Sequence, residues 1–149
     1  MNPVGKILLV EDNVRDVEFI LAELGKNKFA NEVVVARHGG EALDYLYRRG
    51  AFRTRASGNP FVVLLDLKMP LVSGLEVLRQ MKSDEDLRMI PIVILTASRE
   101  EADLVQSYRL GANSYVVKPV DVQQFAEAIR QLGMFWAAVN QPPQQRAKS

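Results

Sequence analysis

FVVLLDLKMP, residues 61–70, passes without a break from five apolar residues to an acid, a lysine and a proline. A short continuous run rich in Val and Leu, with no alternation of polar and apolar residues, reads as a strand buried on both faces of a parallel sheet. The same signature recurs on either side of it. KILLV (6–10) ends in Glu11 and Asp12, IVIL (92–95) ends in Thr96, and YVV (115–117) ends in Lys118 and Pro119. EVVVA (32–36) completes the set.

Helical periodicity fills the intervals. Val14, Val17, Leu21 and Leu24 are spaced for one apolar helix face. Gly39 and Gly40 open a second helix through Leu43, Leu46 and Tyr47, and Ser73 or Gly74 opens a third through Leu75, Val77, Leu78 and Met81. Ser98 is a candidate N-cap for a fourth, with Glu100 and Glu101 at its positive end and Gly111 as its stop. Asp121 caps a fifth, whose stripe is Phe125, Ile129, Leu132 and Trp136. GAFRTRASGNP (50–60) and residues 84–91 read as loops. Five βα repeats imply an α/β fold, a doubly wound, five-stranded parallel sheet of the flavodoxin-like kind with an extended C-terminal helix at about 121–139. Residues 1–139 are expected to form one domain, and the polar, proline-containing 140–149 a disordered tail.

Composition removes whole classes of function. Hydrophobic content of 48% and charged content of 25% are ordinary for a globular chain. A net charge of +1 gives no global attraction to nucleic acid or an anionic membrane. With no cysteine and only His38, thiol catalysis, thiolate sites and multi-histidine metal centres are excluded. KILLV is too short to span a bilayer and MNPVGK is no signal sequence, so a cytoplasmic protein is expected. Arg48, Arg49, Arg53 and Arg55 read as a solvated loop rather than a nucleic-acid patch. Asp84, Glu85 and Asp86 lack the other ligand positions of an EF-hand, and no glycine-rich nucleotide loop is present.

In a parallel α/β sheet, reactive groups gather just outside the carboxyl ends of the strands. If strands one and three are neighbours, Glu11, Asp12 and Asp66 share one crevice, and two carboxylates, a backbone carbonyl and waters can satisfy Mg²⁺. Asp66 is the candidate nucleophile for a phosphoryl group. Lys118 is a compact positive charge for the transferring oxygens, Thr96 a hydroxyl donor, and Ala97 leaves room for the phosphate.

LLVEDN (8–13), LLDLKMP with SGLEVL (64–70 and 73–78), ILTA (94–97) and GANSYVVKP (111–119) together resemble the receiver domain of two-component response regulators, over about residues 5–133. The resemblance implies that Asp66 is the phosphoacceptor. Asp12 and Asp66 would hold Mg²⁺ through their side chains, the Lys68 carbonyl would be a further ligand, and Glu11 would act through water. It also implies that Thr96 and Tyr115 form a switch pair, that Lys118 pairs with the phosphoryl group, and that the bond to Pro119 is cis. The side chains of Lys68 and Ser98 would flank the site and tune hydrolysis of the acyl phosphate. Glu11 stands where many members have Asp, a variant that still holds water on a metal.

The chain leaves no room for an effector domain, so a stand-alone receiver is expected, working through protein contacts. Gly133–Val139, with Phe135 and Trp136, extends the last helix with apolar surface, which points to a homodimer through helix four, strand five and helix five. The same C-terminal pattern, FW followed by N and PP, resembles the small response regulators paired with bacterial and cyanobacterial phytochromes. That resemblance implies a light-sensing histidine kinase as phosphodonor. The alternative is a Mg²⁺-dependent phosphohydrolase with an aspartyl-phosphate intermediate. Its chemistry wants an acid two residues after the nucleophile, where Lys68 stands.

Overall fold

A computed structural model of the chain describes residues 6–26, 32–56, 58–69, 71–97 and 101–117, together with the helical positions Gln123 and Glu127. Five parallel strands form one sheet: β1 (Ile7–Val10), β2 (Val33–Ala36), β3 (Val62–Leu65), β4 (Ile92–Thr96) and β5 (Ser114–Val117). Their order across the sheet is β2-β1-β3-β4-β5, so β1 and β3 are neighbours as expected. Helices α1 (Val14–Lys26), α2 (Gly39–Tyr47), α3 (Gly74–Ser83) and α4 (Glu101–Arg109) make the connections. Apart from Gln123 and Glu127, the expected C-terminal helix and tail lie outside the described residues, as do Ser98, Lys118, Pro119, Phe135 and Trp136.

Continuous apolar runs were required because successive strand residues point to opposite faces and both faces are covered. Leu8, Val10, Val63, Leu65, Ile92 and Ile94 face α2 and α3 and join Leu43, Leu46, Val77, Leu78 and Met81. Ile7, Leu9, Val62, Leu64, Val93 and Leu95 face the other way and join Ile20 and Leu24 of α1. Burying one such Leu, Ile or Val side chain stabilises the fold by about 1.5–3 kcal/mol, which gives the sheet its registration.

Two readings of the helices need correction. The buried arc of α1 is Ile20 and Leu24, with Val17 half-buried, whereas Val14 and Leu21 face water. In α2 the buried aromatic is Tyr45, not Tyr47. His38 is the N-cap of α2, its Nδ1 accepting from the Glu41 amide at 3.1 Å. The loop after α2 is more built than its composition suggested. Residues Gly50–Phe52 form a 3-10 turn, and the Phe52 ring meets Tyr45 edge-on at 5.1 Å. Arg55 lies 4.1 Å over the Tyr45 ring and donates to the carbonyls of Tyr45, Ala56 and Gly58. Arg49 pairs with Asp44 at 2.9 Å. Arg49 and Arg55 thus tie this segment to the body of the domain.

Candidate functional site: an acidic cluster at the carboxyl end of the sheet

The register of two strands builds the site. Val10 of β1 pairs with Leu65 of β3, so the next residues, Glu11 and Asp66, emerge side by side at the strand spacing of about 4.8 Å. Both stay in the hydrogen-bonded frame. The Asp66 amide donates to Val10 O at 3.0 Å and the Glu11 amide to Ala36 O at 2.9 Å. Asp12 follows Glu11 and turns to the same crevice. One carboxylate oxygen from each of Glu11, Asp12 and Asp66 lies within 4.8 Å of the others. Glu11 and Asp66 are only 1% and 5% exposed, while Asp12 is open to solvent.

Local structure fixes each acid. Asn13 starts α1: its side-chain oxygen accepts from the Asp16 amide at 3.0 Å, satisfying one free N–H of the first turn. The Asn13 amide in turn donates to Glu11 Oε2 at 3.2 Å. Asp66 Oδ1 accepts from the Lys68 amide at 3.2 Å, which bends the chain away from β3. The loop returns at Gly74, whose amide donates to Leu67 O at 2.9 Å, and Ser73 caps α3 by accepting from the Glu76 amide at 3.2 Å. A Cβ on Gly74 would stand 2.1 Å from Asp66 O, so the close return past the Asp66 backbone requires glycine.

Thr96 ends β4, registered against Val117, and Ala97 follows it at the surface. Tyr115 in β5 pairs with Ile94, packs against the core and lies 6.4 Å, ring to ring, from Tyr108 of α4. The strand order therefore sets the ends of β1, β3 and β4 next to one another, with β5 beyond. Sequence reasoning missed Asp103. Its Oδ2 lies 3.3 Å from the Lys68 ammonium, joining α4 to the loop beside Asp66. Nothing within Glu101–Arg109 distinguishes this acid from its neighbours, because the pairing is long-range.

Three carboxylates so close, two of them buried, form a hard all-oxygen donor set suited to a divalent cation that keeps some of its water. At the opposite end of the sheet, where the helices terminate, a cleft lined by Leu46, Arg48, Arg55, Asp84 and Leu87 carries both signs of charge.

Residues 7–130 match the response regulator receiver domain. Response regulator Rcp1 of Synechocystis sp. is 34% identical over 135 residues, covering 91% of this chain and 90% of the relative. The bacteriophytochrome response regulator RtBRR is 57% identical with a TM-score of 0.82, covering 93% of this chain and 83% of that one. AtBRR, also a bacteriophytochrome response regulator, is 58% identical with a TM-score of 0.80, covering 93% and 99%. Rcp1 has been solved in a Mn²⁺-bound form, 33% identical with a TM-score of 0.76 over 89% of this chain and 94% of that one. With its sheet order, its acidic cluster and a match from β1 to beyond β5, this chain belongs to the response regulator receiver domain family.

Proposed function

We propose that the protein is a phosphorylation-controlled switch in which Asp66 accepts a phosphoryl group from the phosphohistidine of a sensor kinase. The observation that carries this reading is the cluster of Glu11, Asp12 and Asp66 at the ends of adjacent strands. Asp66 attacks phosphorus through a carboxylate oxygen. The bond from phosphorus to the donor imidazole nitrogen breaks, and that nitrogen keeps the electron pair. Hydrolysis reverses the state: water attacks phosphorus, inorganic phosphate leaves and the Asp66 carboxylate is restored. The acids Asp12 and Asp66, the Lys68 carbonyl and, through water, Glu11 would hold Mg²⁺, which when bound neutralises charge on the carboxylates and the transferring oxygens. Thr96 and Lys118 are assigned to the phosphoryl oxygens, Ala97 to the space beside them, Tyr115 to the switch, and Pro119 to a cis bond.

The protein would thus act catalytically only on its own phosphorylation and dephosphorylation. Its identity of 57–58% to two bacteriophytochrome response regulators supports a phytochrome-type histidine kinase as donor. A homodimer through α4, β5 and the expected fifth helix, extended by Phe135 and Trp136, is supported by Leu104, Val105 and Tyr108, which expose apolar surface on α4. Among the described residues no helix is long and apolar enough to cross a membrane, and a cytoplasmic location is proposed.

The direct test is intact mass after incubation with acetyl phosphate and Mg²⁺. One added phosphoryl group on the wild type, absent in Asp66→Asn and suppressed by chelator, is expected. An intact fold with no adduct would refute the phosphoacceptor assignment. Faster transfer from a phytochrome kinase than from an unrelated kinase tests the donor. Sedimentation that shows only monomer at high protein concentration would remove the dimer.

A further inference from the structure

At its described inner positions helix α4 presents polar side chains to the domain. None of the described side chains from Asp103 to Arg109 belongs to either apolar cluster, whereas α1, α2 and α3 each insert large aliphatic residues. Its inner face carries instead Ser107, fully buried, and Asp103, only 14% exposed, one turn apart on the same side. Leu104, Val105 and Tyr108 lie on its exposed side. Asp103 faces Lys68, whose ammonium is 3.3 Å away and whose own amide is bonded to the Asp66 carboxylate at 3.2 Å. One residue therefore touches the proposed phosphoacceptor through its backbone and α4 through its side chain.

We propose that Asp103 and a phosphoryl group on Asp66 compete for the Lys68 ammonium, so that phosphorylation loosens the tie between the β3–α3 loop and α4 and frees the helix that presents Leu104, Val105 and Tyr108. The inference rests on the assignment of Asp66 as phosphoacceptor. Lysine suits an exchange of this kind because its ammonium is a point charge on a flexible stem and needs no fixed partner geometry. The Lys68 side chain is 56% exposed, so the pair is only partly desolvated and yields readily. The incoming group carries nearly two negative charges near neutral pH against one on Asp103. No bond other than that to phosphorus changes in the process. Asp103 is thus a positioning residue, acting on the site through Lys68.

Amide hydrogen exchange across 101–109 reads the tie directly, in the full chain and without a partner. In the unphosphorylated protein, Asp103→Asn and Lys68→Met should each raise exchange there several-fold. The double variant should go no further than either single change, and Asp103→Glu should restore protection. Raising the ionic strength should erode wild-type protection and leave that of Lys68→Met unmoved, a response that a purely steric role for Asp103 would not give. Acetyl phosphate with Mg²⁺ should bring the wild type to the Asp103→Asn level, with little further change in the variants. Additive effects in the double variant, or an equal phosphorylation response in Lys68→Met and wild type, would overturn the exchange. Intact mass on the same samples separates the two readings. An adduct with unchanged α4 protection refutes this inference alone, while the absence of an adduct refutes the phosphoacceptor assignment with it.

Discussion

Gly74 shows how much a single residue can control near Asp66. Its missing side chain lets α3 begin 2.1 Å, measured from the would-be Cβ, from the Asp66 carbonyl, and neither backbone segment can give way. Gly74→Ala should therefore cost about 2–4 kcal/mol, the range of severe core lesions, measurable as a fall in the urea midpoint. It should also depress phosphorylation by shifting Asp66. Glu76, in the first turn of the same helix, offers a check on charge. Hydrogen bonds from Arg79 and then Gln80 hold its carboxyl below the usual 4.5. A depressed carboxylate stabilises the fold above its unfolded value and loses that contribution as pH falls through its folded value. Glu76→Gln should thus lower the melting temperature slightly at pH 7, and the difference should shrink as pH falls below 4.5. The place of Asp66 in the acidic cluster was legible because an acid ends an apolar run at 61–65. Asp103 was not, because an ion pair between a loop and a helix far along the chain leaves no periodic trace. Leu71 is a further unread feature: it is 93% exposed with φ at +67°, a backbone region where leucine is strained.

Strands were easier to read than helix faces, and α1 shows why. Val14, Val17, Phe19, Ile20, Leu21 and Leu24 put apolar groups around most of the helix, so a 3.6-residue stripe can be drawn through more than one arc. The sheet selects the arc through Ile20 and Leu24, and the first drawn through Val14 and Leu21 is left in water. The two arcs should separate in denaturation. Ile20→Ala removes a side chain that is 1% exposed and should cost about 2–5 kcal/mol, whereas Val14→Ala should stay within about 0.5 kcal/mol. Chemical unfolding of both variants decides it, and equal losses would mean that α1 packs through the other arc. The segment 50–60 reads as loop because its Gly, Arg and Ser content carries turn signals. Its order comes from a cation over an aromatic ring and from side-chain bonds to carbonyls, which no local pattern announces.

For the molecule as a whole, assembly of the acidic crevice and folding are one event, because Glu11 and Asp66 meet only when β1 and β3 pair. A divalent cation that binds this crevice binds only the folded chain, and at one hundred times its dissociation constant should add about 2.7 kcal/mol. Thermal melts across a Mg²⁺ titration should show the midpoint rising with concentration in the wild type and barely moving in Asp12→Asn. An equal rise in both would place the cation elsewhere. The strand order has a separate consequence for a chain made from its N-terminus. After β2 has paired with β1, β3 is laid on the free edge of β1, β4 on that of β3 and β5 on that of β4. Sheet growth on the ribosome can therefore proceed in one direction, and nothing already paired has to part to admit a newcomer. Once β3 is in place, one open edge is always the newest strand and the other is β2, so a chain whose growth halts at that stage would present the bare edge of β3 to its neighbours.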